Sequence, residues 1–385
     1  MRLNSVNFNT MLRRGAKRLP LLGVLCLAMG LSSCESILDE EPNCRLGIAL
    51  NFVYDYHMEP GANAFTSNVD CVNVFVFDKN GNYVKQFTET TDVLRDPNYR
   101  MELPLDLGDY HLVVYGGTAC EDASFELTPD FRSAESRSGS SKDDILVTLP
   151  LNEQGYSDKQ LHDIEARTGG LFYGTLDVTL TDQDYAVEYR EETVYLMKDT
   201  NNIQIILQEL TTPQQIDYND YDFYIIDDNF KLDGYNNVIH TATADFQPYY
   251  RPYASENRIM GYVEYKEENG SLLEESEEID VQVACVEFST SRLLTAHLPT
   301  ARLVVYSKLV KDAEGNNKKI IDIPLISYLS AVRGFGDSWI KSDQEFLDRQ
   351  SRWTLMFFLQ RGAWVQARVS VNWWTVRIND IELDY

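Results

Sequence analysis

Hydrophobic and polar residues alternate with a period of two through much of this chain, the pattern of strands with one buried and one wet face. Ile48, Leu50, Phe52 and Tyr54 alternate with small or polar partners, and Leu176, Val178 and Leu180 with Thr175, Asp177 and Thr179. Val72 to Phe77 is denser in apolar residues, which predicts a strand covered on both faces. It runs into Asp78-Lys79-Asn80-Gly81-Asn82, whose Asn-Gly pair supplies the positive φ of a tight hairpin. Tyr83, Val84 and Phe87 read as the return strand. Leu107 to Gly117 reads as a turn, a buried strand and a glycine exit. Tyr195 to Met197 leads into Asn202–Leu207, taken as the final strand of the first half, before Leu210-Thr211-Thr212-Pro213 breaks the pattern.

The second half repeats the style. Phe223–Ile226, Ile259–Val263, Val281–Ala284 and Arg302–Tyr306 are strand-like, and Asp312 to Asn317 is a second hairpin signal. Leu-Val-Val-Tyr at 112–115 returns at 303–306, a faint sign that the halves are versions of one fold. Helix is sparse: Ser342 and Glu345 have capping-box spacing ahead of Phe346, Leu347 and Arg349. Trp353–Leu359 and Val369–Val376 close the chain as strands. Many short strands with turn chemistry between them predict an all-β protein of two tandem β-sandwich domains, 44–210 and 211–385, with a few short helices. The Ser- and Arg-rich stretch from Phe131 to Lys142 has no periodicity and is expected to be a nickable loop.

The amino terminus obeys other rules. Residues 1–33 hold Arg2, Arg13, Arg14, Lys17 and Arg18 and no acid, and Leu19 to Leu31 is an apolar run of 13 residues. That is too short for a helix across a hydrocarbon core of about 30 Å, and fits a secretory signal peptide. The run ends in Leu31-Ser32-Ser33-Cys34, which resembles the bacterial lipobox and makes Cys34 the expected site of lipid attachment. Residues 34–43 then form an acidic tether. Without the leader the chain carries 29 basic and 60 acidic residues, a net charge of −31, which excludes nucleic acid and anionic headgroups as partners.

Six cysteines are present, and Cys44, Cys71, Cys120 and Cys285 remain after Cys26 and Cys34 are set aside. Four cysteines allow three connectivities; Cys71–Cys120 is favoured because both flank strong strand signals in one half, and buried free thiols are the alternative. Candidate chemistry is scarce. His57, His111, His162, His240 and His297 lack metal-site spacing, so no metal or other cofactor is expected. With 60 acids, neighbours such as Asp227-Asp228 or Glu277-Glu278 are expected by chance and do not make a hydrolase dyad. No enzymatic activity is therefore expected. Tyr249, Tyr250 and Tyr253, between Pro248 and Pro252, could stack on sugars, as could Trp373-Trp374; a rigid packed loop is the plainer account of the tyrosines.

The ordered set of motifs carries more than any one of them. The lipobox is followed by Asn73–Asp78 with its Asn-Gly turn, Gly108–Gly116, Leu171–Gly174 and Val194–Ile203. Pro324–Leu329, Gln344–Gln350 and Val371–Trp374 complete it. This order resembles the FimB/Mfa-type fimbrial anchor and assembly lipoproteins of Gram-negative anaerobes. The resemblance implies two transthyretin-like sandwiches at the base of a type V fimbrium, lipidated, attached to the outer membrane and contacting a shaft pilin by strand pairing. Arginine-directed processing, known for related shaft pilins, is not expected here, although Arg45 precedes the first strand and Arg132 and Arg137 lie in a loop. A surface glycan-binding lipoprotein is the alternative.

Overall fold

The computed structural model describes residues 46–58, 61–121, 123–129, 140–149, 170–211, 216–240, 244–246, 264–268, 271–275, 282–333, 339–371 and 374–378. The first sandwich has a small sheet of β1 (Gly47–Val53), β4 (Met101–Pro104) and β9 (Arg190–Tyr195), in the order β4-β1-β9. Its larger sheet uses β2 (Val72–Asp78), β3 (Tyr83–Glu89), β5 (Gly108–Gly116), β8 (Phe172–Leu180) and β10 (Met197–Lys198), in the order β10-β8-β5-β2-β3. The core between them holds Ile48, Leu50, Phe52, Val74, Val76, Leu112 and Val114.

The second sandwich pairs two further sheets. One runs β17-β11-β20-β21-β22, from β11 (Asn201–Glu209), β17 (Ala284–Thr290), β20 (Arg352–Gln360), β21 (Ala363–Val371) and β22 (Trp374–Ile378). The other runs β14-β12-β18-β19, from β12 (Tyr221–Asp227), β14 (Ala244–Phe246), β18 (Arg302–Lys311) and β19 (Asn317–Pro324). A three-stranded patch of β6 (Glu126–Thr128), β7 (Leu146–Thr148) and β13 (Lys231–Asp233) joins the halves, and β15 (Glu264–Glu268) pairs with β16 (Ser271–Glu275) as a hairpin. The described helices are short: α1 (Phe65–Asn68), α2 (Leu325–Ser330) and α3 (Asp343–Arg349). The expected all-β architecture of two tandem sandwiches is the observed one.

Two expectations change. Residues 201–209 do not finish the first half: β11 lies between β17, antiparallel, and β20, parallel, in the second sandwich. Ile203, Ile205 and Leu207 enter its core, so by strand pairing the crossover falls between β10 and β11 rather than at residue 210. Alternation identifies a strand but not its partner, which is why the sequence misplaced it. Second, 369–376 is not one strand but parts of β21 and β22, an antiparallel pair.

The faint repeat is topological. In each half the first strand lies between an antiparallel and a parallel neighbour, β1 between β4 and β9, β11 between β17 and β20. The strand after it pairs with the Leu-Val-Val-Tyr strand in matching register: Val76 faces Leu112 and Asn73 faces Tyr115, as Ile225 faces Leu303 and Asp222 faces Tyr306.

Local chemistry explains the turns. Asp78, Asp312 and Asp233 each accept two backbone N–H groups from residues two and four positions on. The residue three positions on takes positive φ, Gly81 at 82°, Gly315 at 86° and Asn236 at 64°. Ser342 caps α3 by accepting from Glu345 N at 3.0 Å, while the Glu345 carboxylate reaches back to Lys341 N.

Candidate functional site

Several sequence candidates fall outside the described residues: Cys34, Cys44, Tyr249, Tyr250, Tyr253, Trp373 and the stretch 130–139. Cys71, beside the start of β2, is bonded to Cys120 just beyond β5, with the Cα atoms 5.4 Å apart. Cys285 is buried, and desolvation pushes its thiol up to about 12, so it is an inert packed thiol.

For a protein expected to act through strand pairing, the relevant geometry is which slots are filled and which edges are open. β1 fills the first sandwich, with Ile48 and Leu50 fully buried, and β11 does the same in the second. Each half therefore completes its own core. The sheets end on β3 and β10, β4 and β9, β17 and β22, and β14 and β19. β3 carries Lys85 stacked over Phe87, a charge that discourages indiscriminate pairing. Among the described residues β22 has a ladder only to β21.

A polar cleft of about 620 Å³ lies at the β2–β3 turn, between the ends of β5 and β8 and residues 141–143. Its wall is a relay in which Lys142 Nζ donates to His111 Nε2 at 2.7 Å and His111 Nδ1 donates to Asp177 at 2.6 Å. Lys142 also sits 4.0 Å from the Tyr235 ring centroid, and the Tyr235 hydroxyl donates to Asp143 at 2.5 Å. Burial lowers the Lys142 pKa. The relay fastens the 141–144 segment to the sheet end.

Where the halves meet, Arg292 forms a bidentate pair with Asp348 at 2.9 and 3.0 Å and donates to Asn236 O. Asn236 Nδ2 donates in turn to Asp199, which is fully buried and whose carboxyl burial pushes up to about 7. Arg349 stacks 3.9 Å from the centre of the Tyr56 ring. Strands, turn and helix from both halves are thus tied through one buried network.

A further grouping escaped the sequence reading. Asp228, His240 and His297 each offer a ligand atom, all within 4.8 Å of one another. Separations of 12 and 57 residues match no local motif, and only tertiary folding brings them together.

Two tandem sandwiches, each filled by its own first strand and fastened to one another, define the architectural class. The particular family follows from comparison: the chain belongs to the fimbrillin-A associated anchor proteins Mfa1 and Mfa2, whose profile matches residues 40–380. It is similar to a candidate adhesin from Bacteroides thetaiotaomicron, 35% identical, covering 86% of this chain and 98% of that one, with TM-score 0.65. A candidate polysaccharide-binding protein from the same organism is 29% identical, covering 88% and 100%, with TM-score 0.64. The fimbrial anchor protein Mfa2 from Porphyromonas gingivalis shares the fold at 16% identity, covering 87% and 99%, with TM-score 0.58. No curated protein matches. Among the described residues no helix is long and apolar enough to cross a membrane.

Proposed function

We propose that this chain is a non-enzymatic accessory subunit of a fimbrium, held in the outer membrane by acyl chains on Cys34 and attaching the shaft by strand pairing. The observation that carries the reading is the family match over residues 40–380, which begins just behind Leu31-Ser32-Ser33-Cys34. Lipid supplies the attachment: each buried CH₂ contributes about 0.8 kcal/mol, and two or more chains hold durably where one does not. Backbone pairing at a sheet edge supplies the grip on a pilin, because main-chain hydrogen bonds give strength and alternate side chains give register. Both sandwiches keep their own first strand, so the pairing uses an open edge and needs no proteolytic removal of β1.

The test is Cys34→Ala in cells that make the fimbriae. The expected result is loss of acyl labelling, with fimbriae shed into the medium or altered in length. Fimbriae equally attached and of normal length would overturn the anchor role. Crosslinking on intact cells identifies the subunit held.

A second reading, surface glycan binding, is favoured by the likeness to the candidate polysaccharide-binding protein and by Tyr249, Tyr250 and Tyr253. Affinity-gel retardation by a polysaccharide, abolished by Tyr→Ala changes at those positions, would support it.

A further inference from the structure

At one end of the second sandwich, four side chains from three separate segments converge. Asp227 closes β12, Asp228 follows it, His240 lies beyond β13, and His297 ends the 3₁₀ turn Thr295–His297 between β17 and β18. His297 and Asp227 are each 2% exposed, whereas the side chains of Asp228 and His240 are 23% and 58% exposed. The cluster is therefore deep at one side and open to solvent at the other.

Both imidazoles use Nδ1 as the hydrogen-bond donor, which leaves Nε2 of each ring as the nitrogen that carries the lone pair. His297 Nδ1 donates to Asp227 Oδ1 at 2.6 Å, and His240 Nδ1 donates to Asp228 Oδ2 at 2.7 Å. The two imidazole centroids are 5.0 Å apart. Asp228 Oδ1 lies 3.3 Å from His297 Nδ1. Yet among the described residues three buried atoms here, His297 Nε2, Asp228 Oδ1 and Asp227 Oδ2, have no hydrogen-bond partner. Buried polar atoms left unpaired are costly, and several concentrated in one cluster point to a missing partner.

From this geometry we infer a divalent metal site of the zinc class, formed by His240, His297 and Asp228, with Asp227 orienting His297. Zinc is bound by imidazole nitrogen at about 2.0–2.1 Å and carboxylate oxygen at about 2.0–2.2 Å, which sets ligand atoms roughly 3.3 Å apart. Ligand atoms already within 4.8 Å reach that spacing by a shift of half-exposed His240, which exchanges its hydrogen bond to Asp228 for the shared cation. Two imidazoles with carboxylate select a late first-row cation over magnesium or calcium, which take oxygen ligands. Asp227 accepting the Nδ1–H of His297 is the carboxylate–histidine arrangement that fixes ring orientation behind a metal. The cation enters from the His240 side and pins the end of β12, the excursion after β13 and the β17–β18 connection to one another. With three protein ligands, water takes the fourth position, and the ion's effect is to hold these segments together.

The test is equilibrium dialysis of the untagged full-length protein, purified in detergent, against ZnCl₂, with thermal melting in parallel. The expected result is one zinc per chain at micromolar concentration, and a melting temperature raised by about 5 °C or more at a hundredfold excess over Kd. His240→Ala removes an exposed ligand without opening a cavity, and lowers affinity by more than the roughly 10–100-fold expected for Asp227→Asn. His57→Ala, remote from the cluster, leaves binding unchanged. No stoichiometric zinc, or zinc bound equally well by His240→Ala, would overturn the assignment.

Discussion

The two sandwiches share a topology and differ in what lies over the outer face of the larger-strand sheet. In the first, the alternation of β2 and β5 is buried twice. Val74, Val76, Leu112 and Val114 face inward, and Phe75, Phe77, Val113 and Tyr115 enter a second core with Phe125, Val147, Leu149 and Leu232. The cover is the β6–β7 segment, inserted between β5 and β8, together with β13 from the other half. In the second sandwich β18 and β19 are joined directly by the turn at Asp312–Asn316, and among the described residues the matching face has no such layer. There Tyr224 and Tyr306 are half-buried, meet edge to face at 6.1 Å and line an open cleft with Ile226 and Asn317. A single insertion therefore converts a surface into an interior, and with it locks the halves together.

The largest effect that tests this contrast comes from the matched tyrosines. Tyr115 is fully buried, packs on Phe75 and Tyr173, and donates to Asp233 O. Tyr115→Ala is expected to cost about 3–5 kcal/mol, the range for deleting a buried aromatic ring. Tyr306→Ala, at the equivalent register position, loses one edge contact and is expected to cost about 1 kcal/mol. Urea unfolding of both variants measures the difference, and equal costs would show that the insertion is not what separates the two faces.

The next effect sharpens the comparison from the covalent side. Cys71–Cys120 closes a chain separation of 49 residues and ties the start of the insertion to the edge of β2. Reduction is expected to destabilise by about 2–4 kcal/mol. Hydrogen exchange should loosen β2 and β5 while β12 and β18 keep their protection. Equal loosening of both pairs would mean that the halves unfold as one unit and that the contrast is only geometric.

How much of this the sequence disclosed depends on the range of each interaction. Turns were legible because Asp78 and Asn80-Gly81 act within five residues, and the cap at Ser342 for the same reason. The double burial of β2 was legible too, since Val72–Phe77 has no polar face apart from Asn73. What covers that strand was not, because Phe125, Val147 and Leu232 belong to segments with little periodicity of their own. β11 was read as a strand and assigned to the wrong sandwich, because pairing with β20 joins residues 150 positions apart, such as Gln204 and Thr354. The Asp228, His240 and His297 cluster failed for the same reason: a motif search reads spacing, whereas the fold supplies proximity.

The smallest expected effect probes the junction that the insertion helps to build. Asp199 faces Arg292 Nε at 3.9 Å and Asn236 Nδ2 at 3.1 Å, with Asp348 beyond the arginine and the rings of Tyr115 and Tyr173 nearby. Desolvation outweighs the arginine and raises the carboxyl to about 7 from 3.8. Between those values the folded chain holds a proton that the unfolded chain has released, so stability falls as pH rises and levels off above the folded pKa. Each pH step of one within that window removes about 1.36 kcal/mol, so from pH 5 to 8 this group takes away about 2–3 kcal/mol. Asp199→Asn mimics the protonated acid, keeps an acceptor for Asn236 and removes the charge, so its stability should change less over that window. Urea midpoints of both proteins at pH 5, 6, 7 and 8 measure this. Parallel curves would mean that Asp199 is ionised throughout, its charge fully offset by Arg292, and that the junction is held by that pairing rather than by a buried neutral acid.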